Sequence, residues 1–168
     1  MTILQQNNIS IVTKKDDKVE KQFLTNFFHQ PNYDKWLDAY NAFYNEYKCV
    51  PKIFEANENR IIMEYIEGER LDIFLHNNRK DSKKILNASK KIFELIQHFF
   101  EFSINYNIVV IHSDFNTRNF IVKKDNTLCL IDPDALLIDP VEFSGYGSII
   151  HELSKLYNRS LLMKYDII

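Results

Sequence analysis

Only three glycines serve this 168-residue chain, Gly68, Gly145 and Gly147, and none stands before position 68. A glycine-rich phosphate loop needs positions where no Cβ keeps the backbone away from the phosphate. Neither a GxGxxG turn near the N-terminus nor a Walker loop can therefore be built here. The turns of the first third are polar instead: "TKKDDK" joins the β-type runs 9–12 and 19–23, and "NEN" separates "VPKIFEA" from "RIIMEYI". Ahead of the first run, "TILQQNN" has room for one more short strand and a turn.

Between these strands, "NYDKWLDAYNAFYNEY" places Trp36, Ala39/Tyr40, Phe43 and Tyr47 at helical spacing, and Pro51 bars continuation. "EGERL" breaks the pattern with Gly68 as pivot, and a short helix starts over Leu71 to Leu75. A longer helix follows "RKDS", where Asp81 or Ser82 can cap the free N–H groups. Its apolar stripe is Ile85, Ala88, Ile92, Ile96, Phe99 and Ser103. Lys83, Lys84, Lys90 and Lys91 fall on other faces and read as solvated surface. After "NYN" come the strand "IVVI", a polar loop, and "NFIVKKDNTLCLID", which reads as strand, turn and strand. "PDALLIDPVEFSGYGS" reads as loop, and residues 149–162 as a last helix.

Composition narrows the function classes. Hydrophobic residues make up 45%, with 13 Phe and 9 Tyr, which argues for a packed globular chain. A net charge of -2, with no Lys/Arg stripe interleaved with aromatics, leaves no footprint for nucleic acid. Cys49 and Cys129 are isolated and suggest neither disulfide nor zinc. No apolar run approaches the ~18 residues of a membrane span, and "MTILQQNNIS" has no basic n-region or h-region, so the chain reads as cytoplasmic.

The chemistry is concentrated in "HSDFNTRN", with His112, Asp114 and Asn119, followed across a hairpin by Asp132 and Asp134 in "IDPD". Asn, Asp and Thr also favour ordinary turns. The order of parts decides between the readings: a strand, HxDxxxxN, a hairpin, then an apolar strand ending in Asp, all after a long helix and a hinge-like "MEYIEG". Phosphoryl transfer needs a carboxylate for the acceptor hydroxyl and oxygen ligands for magnesium, and residues of these types could supply both.

On these residues the chain resembles the protein-kinase-like superfamily. "IDPD" in place of a DFG-type triplet looks more like its small-molecule branch, typified by aminoglycoside phosphotransferases and choline kinases. The resemblance implies an α+β fold of two lobes. Residues 1–66 would form an N-lobe with a small antiparallel sheet and one helix, and residues 67–168 a mainly helical, truncated C-lobe. It implies ATP and Mg2+ as cofactors and the hydroxyl of a small molecule, such as a sugar or amino alcohol, as acceptor. Asp114 would be the catalytic base, Asn119 and Asp132 the magnesium ligands with Asp134 assisting, and His112 a loop brace. Lys21, ahead of Lys18, would hold the phosphates and pair with Asp38 or Glu46 on the helix, Asp38 being better placed. Backbone groups from Glu64 to Ile66 would bind adenine beside Met63.

Two departures go with the resemblance. "LQQNNIS" stands without glycine where the phosphate-covering loop belongs. The short C-lobe would leave the acceptor site truncated, open to a large substrate, or completed by a protein partner or self-association. The competing readings are a pseudokinase that binds nucleotide or a partner, and a protein Ser/Thr kinase, against which the missing APE segment speaks.

Overall fold

The computed structural model describes residues 2–7, 9–24, 33–112, 114–133 and 136–139. The chain divides into two compact units, residues 1–66 and 67–168. It is α+β, as expected of a kinase-like fold. Among the described residues no helix is long and apolar enough to cross a membrane.

The first unit holds β1 (Thr2–Gln6), β2 (Ser10–Lys15), β3 (Lys18–Phe23), α1 (Tyr33–Tyr47), β4 (Ile53–Asn57) and β5 (Arg60–Glu64). The strands form an antiparallel sheet in the order β1-β2-β3-β5-β4. Turn chemistry substitutes for glycine throughout. Asp16, at φ 55, occupies the left-handed position of the two-residue turn that leaves Lys15 opposite Lys18. At the β4–β5 turn, Asn57 Oδ1 accepts from the Asn59 N–H at 3.0 Å. Alternation along the central strand β3 buries Val19, Lys21 and Phe23 on one face. Helix α1 buries Trp36, Tyr40 and Phe43, the stripe its spacing predicts, and the Tyr40 hydroxyl donates to the Pro51 carbonyl at 2.7 Å. That bond satisfies the polar tip of an otherwise fully buried ring.

The second unit holds β6 (Glu69–Arg70), α2 (Leu71–Asn77), α3 (Ser82–Tyr106), β7 (Val109–His112), a 3-10 turn (Thr117–Asn119), β8 (Phe120–Val122), β9 (Leu128–Leu130) and β10 (Leu136–Asp139). Asp81 caps α3, accepting from the Lys84 N–H at 3.1 Å. The buried stripe runs from Ala88 through Ile92, Leu95, Ile96, Phe99 and Phe102 to Ser103. Leu95 and Phe102 widen the expected stripe and Ile85 is only half-buried, because a core-facing helix buries a face broader than one row. Asn107, left-handed at φ 51, ends the helix, and the Ser103 hydroxyl then accepts the Val110 N–H at 3.1 Å. The end of α3 thereby fixes where β7 begins.

Two strands depart from the sequence reading. Residues 136–139, expected as loop, form β10 and pair antiparallel with β7, Leu136 opposite His112 and Asp139 opposite Val109. Strand β6 joins β8 and β9 in a three-stranded sheet. Gly68 makes that approach possible, since a Cβ there would stand 2.3 Å from the Val122 carbonyl oxygen. Its role is close backbone approach, not a positive φ. Cys49 and Cys129 are both buried free thiols. The expected helix over 149–162 lies outside the described residues.

Candidate active site

The loop after β7 is built outward from its buried members. Phe115 is fully buried, with Phe120 edge-on at 5.0 Å and Phe99 of α3 at 6.3 Å between ring centres. That anchor presents the neighbouring Asp114 at a half-buried position. His112, 1% exposed, places Nε2 3.2 Å from the Ile131 carbonyl oxygen. A carbonyl only accepts, so Nε2 carries the proton. Burial pushes the imidazole below its usual pKa, against the opposing pull of Asp132, the Ile131 carbonyl and Asp114. A neutral His112 therefore ties the strand entering the loop to the strand that ends at Asp132.

Two asparagines close the loop. Asn116 Nδ2 donates to the Asp114 carbonyl at 3.1 Å, and its Oδ1 accepts from the Arg118 N–H at 2.9 Å. Asn119 Nδ2 donates to the Asp114 carbonyl at 2.8 Å and to its carboxylate Oδ2 at 3.0 Å. A carboxylate accepts only, so this contact fixes which end of the Asn119 amide faces Asp114 and turns Oδ1 away from it. The β8–β9 ladder, with Phe120 opposite Leu130, gains one more rung as the Ile131 N–H donates to the Asn119 carbonyl at 2.8 Å. Asp132 thus begins one residue beyond the residue opposite Asn119. It is half-buried and left-handed at φ 73, a backbone region uncommon for a residue with a Cβ.

Asp114, Asn119, His112 and Asp132 are therefore gathered around one short ladder. The donor set fits a divalent cation of the magnesium type. One carboxylate, Asp132, and one amide oxygen, Asn119 Oδ1, are hard oxygen donors, and magnesium completes its octahedron with phosphate oxygens and water. Among the described residues no group of three or more His, Cys, Asp or Glu side chains stands at metal-ligand spacing, so the protein alone does not make a closed cage. Asp134 lies outside the described residues.

In the first unit, Lys21 is 8% exposed on the central strand, opposite Val12 on one side and Ile61 on the other, with Nζ 5.5 Å from the Phe23 ring centre. Lys18, the less favoured match, is exposed. Among the described residues no ion pair joins Lys21 to Asp38 or Glu46, and both carboxylates are exposed. The helix geometry gives the reason. Asp38 is two residues from both Trp36 and Tyr40, about 200° around the axis from each, so it faces away from the stripe that α1 buries.

Met63 is buried on β5. The next two N–H groups are engaged, Glu64 with the Lys52 carbonyl at 2.9 Å and Tyr65 with the Asp17 carbonyl at 2.8 Å. The Glu64 side chain also accepts the Lys52 N–H at 3.2 Å. The Glu64 carbonyl and the Ile66 N–H take no backbone partner among the described residues. One acceptor and one donor two residues apart remain for a ligand edge.

The tip between β1 and β2 is closed on itself. Asn7 Oδ1 accepts from the Ile9 N–H at 2.8 Å and the Ser10 N–H at 2.7 Å. Both N–H groups are thereby spent within the turn. Sequence reasoning passed over Asn116, Phe115 and the Ile131 backbone. The Asx-turn pattern "NTR" was the available signal for the first, and no signal marked the others.

No curated protein matches the chain. A family model does: the ABC1 atypical kinase-like domain matches residues 18–136, a span running from β3 with Lys21 to the first residue of β10. With well over half of its length matched, the loop after β7 and its ladder included, the chain belongs to the ABC1 atypical kinase-like family, within the protein-kinase-like superfamily.

Proposed function

We propose that the protein is an ATP- and Mg2+-dependent phosphotransferase acting in the cytoplasm on the hydroxyl of a small molecule, such as a sugar or amino alcohol. The observation that carries this reading is the Asn119 amide, which holds the Asp114 carboxylate at 3.0 Å while its backbone carbonyl binds the residue before Asp132. One residue would thus register Asp114, as the base, with Asp132, as a metal ligand. The small-molecule acceptor rests on the resemblance of "IDPD" to the aminoglycoside phosphotransferase and choline kinase branch.

In this mechanism Asp114 accepts the proton of the acceptor hydroxyl as its oxygen bonds to the terminal phosphorus of ATP and the bond from that phosphorus to the bridging oxygen breaks, ADP leaving with the electron pair. Asn119 holds that carboxylate, through the contact to Oδ2, in the orientation the hydroxyl must meet. Neutral His112 keeps the loop and the Asp132 strand in register without adding a positive charge that would compete for the carboxylates. Asn119 Oδ1 and Asp132, with Asp134 assisting, would hold Mg2+, which when bound offsets the negative charge of the phosphates. Lys21 would steady the α- and β-phosphates. The Glu64 carbonyl and Ile66 N–H would pair with the adenine edge.

The test is transfer of labelled phosphate from ATP to a panel of hydroxyl compounds, by the native protein and by Asp114→Asn. Transfer to at least one acceptor, lowered about 100- to 10,000-fold in the variant, is expected of a positioned base. Equal transfer by both would remove Asp114 from the reaction. A second reading, a pseudokinase that binds nucleotide or a partner, is favoured by the tip that Asn7 closes on itself. Magnesium-dependent nucleotide binding with no transfer to any acceptor would select it.

A further inference from the structure

We infer that a groove on the second unit, between α2, the first half of α3 and the β8–β9 hairpin, docks an acidic, apolar peptide segment of a partner protein. The groove is a cavity of about 580 Å3 with Phe74, Val122 and Leu128 among its apolar walls, and Lys83, Lys84 and Lys90 along one side. Its volume is that of an ordinary ligand cleft. None of the residues proposed for phosphoryl transfer lines it, so this inference stands or falls independently of the proposed function.

The charges point to the occupant. No carboxylate lines the groove among its described residues. Lys84 Nζ donates to Asn78 Oδ1 at 2.8 Å, whereas Lys83 and Lys90 enter no ion pair among the described residues. Away from the groove Lys91 meets Glu94 at 2.8 Å and Lys124 meets Glu67 at 3.1 Å, whereas Lys80 and Lys123 also enter no ion pair among the described residues, so it is the grouping of three lysines with no carboxylate along one cleft that is particular to the groove. Two of the groove lysines, Lys83 and Lys84, lie in the first turn of α3. The first turn of α3 has no acidic residue, and its two lysines add to the positive end of the dipole. The acid at this end is the N-cap Asp81, whose side chain accepts the Lys84 N–H at 3.1 Å and does not line the groove. The result is a concentrated positive field beside an apolar floor.

Spacing sets the form of the partner. Lys83 and Lys90 are seven residues apart, so they share a face about 10.5 Å apart along the axis, with Leu86 and Asn87 between them. An amphipathic helix with carboxylates at i and i+7 and apolar residues at i+3 and i+4 is the complement. The concave floor takes projecting side chains, which a lipid surface does not offer.

The probe is a fluorescein-labelled amphipathic peptide with Glu at its first and eighth positions and Leu at its fourth and fifth, titrated with the full chain and followed by anisotropy. Saturable binding is expected. It should weaken about tenfold in the Lys83→Glu/Lys90→Glu double variant, weaken with added salt, and stay unchanged in Lys35→Glu, an exposed lysine of the first unit. Absence of binding at millimolar protein, equal binding by the double variant, or preference for a peptide with Lys at both charged positions would each overturn the inference. So would binding to phosphatidylserine vesicles that the peptide does not displace, since the groove would then be a membrane patch.

Discussion

Two asparagines close two turns of this chain in the same way, yet only one of those turns is organised as a site. Asn7 takes the N–H groups of Ile9 and Ser10 at the β1–β2 tip, and Asn116 takes the N–H of Arg118 in the loop after β7. The difference lies in what stands beneath each turn. Strand β1 is exposed along its whole length, whereas Asn116 is itself buried next to the fully buried Phe115. The second loop also contains a carboxylate held by an amide, while the first spends its donors on its own side chain. Local turn chemistry makes a turn; burial around it and a carboxylate held across it make a candidate active site.

The largest expected effect separates chemistry from fold. Asp114→Asn keeps the shape of the loop, so transfer should fall about 100- to 10,000-fold with the unfolding midpoint nearly unchanged. A variant that loses activity only by unfolding would break the distinction. Next comes the anchor: Phe115→Ala should destabilise the protein by about 3–5 kcal/mol in urea titrations, because it removes a fully buried ring. A loss under about 1 kcal/mol would show that the loop is held by its polar groups alone.

The asparagines themselves sharpen the comparison. Asn116→Ala leaves a buried loop short of hydrogen bonds and should cost about 1–3 kcal/mol. Asn7→Ala, at an exposed tip where water replaces the lost acceptor, should cost about 0.5 kcal/mol or less. Equal costs would mean that burial beneath the turn is irrelevant. Smallest is the pH effect of His112. Its folded pKa is depressed by burial, so below its ordinary value of about 6.5 the unfolded chain binds a proton that the folded chain refuses. The stability contributed by neutral His112 is complete above that pH and is lost as pH falls toward the depressed folded value. The urea midpoint should decline between about pH 7 and pH 5, and His112→Phe should flatten that decline relative to the native protein. An identical slope in the variant would take His112 out of it.

Much of the site was legible because it is local. His112, Asp114 and Asn119 lie within eight residues, and Asp132 follows across a hairpin whose strands and turn are each plain in the pattern. The same holds for α1, where Trp36, Tyr40 and Phe43 name the buried face directly. What escaped is tertiary. Residues 136–139 lie between Pro133 and Pro140 and carry no strand signal of their own; they become β10 only because β7, 24 residues or more earlier, offers an edge. Strand β6 depends on the tight approach at Gly68. The partner of Lys21 was beyond reach for a related reason. Spacing can put Asp38 or Glu46 on α1, but which face turns inward is settled by the aromatic stripe, which leaves both acids outside. Lys83, Lys84 and Lys90 read correctly as surface, while the groove beside them is assembled from α2 and a hairpin distant in sequence.

The central claim is that the ladder joining Asn119 to the strand of Asp132 is a magnesium–nucleotide site. The most direct test is calorimetric titration with ATP, with and without Mg2+, of the native protein and of Asp132→Asn, a substitution that tolerates the left-handed backbone at this position. The account predicts magnesium-dependent binding by the native protein that is lost in the variant. Equal binding by both proteins, or none by the native protein at millimolar ATP, would contradict it.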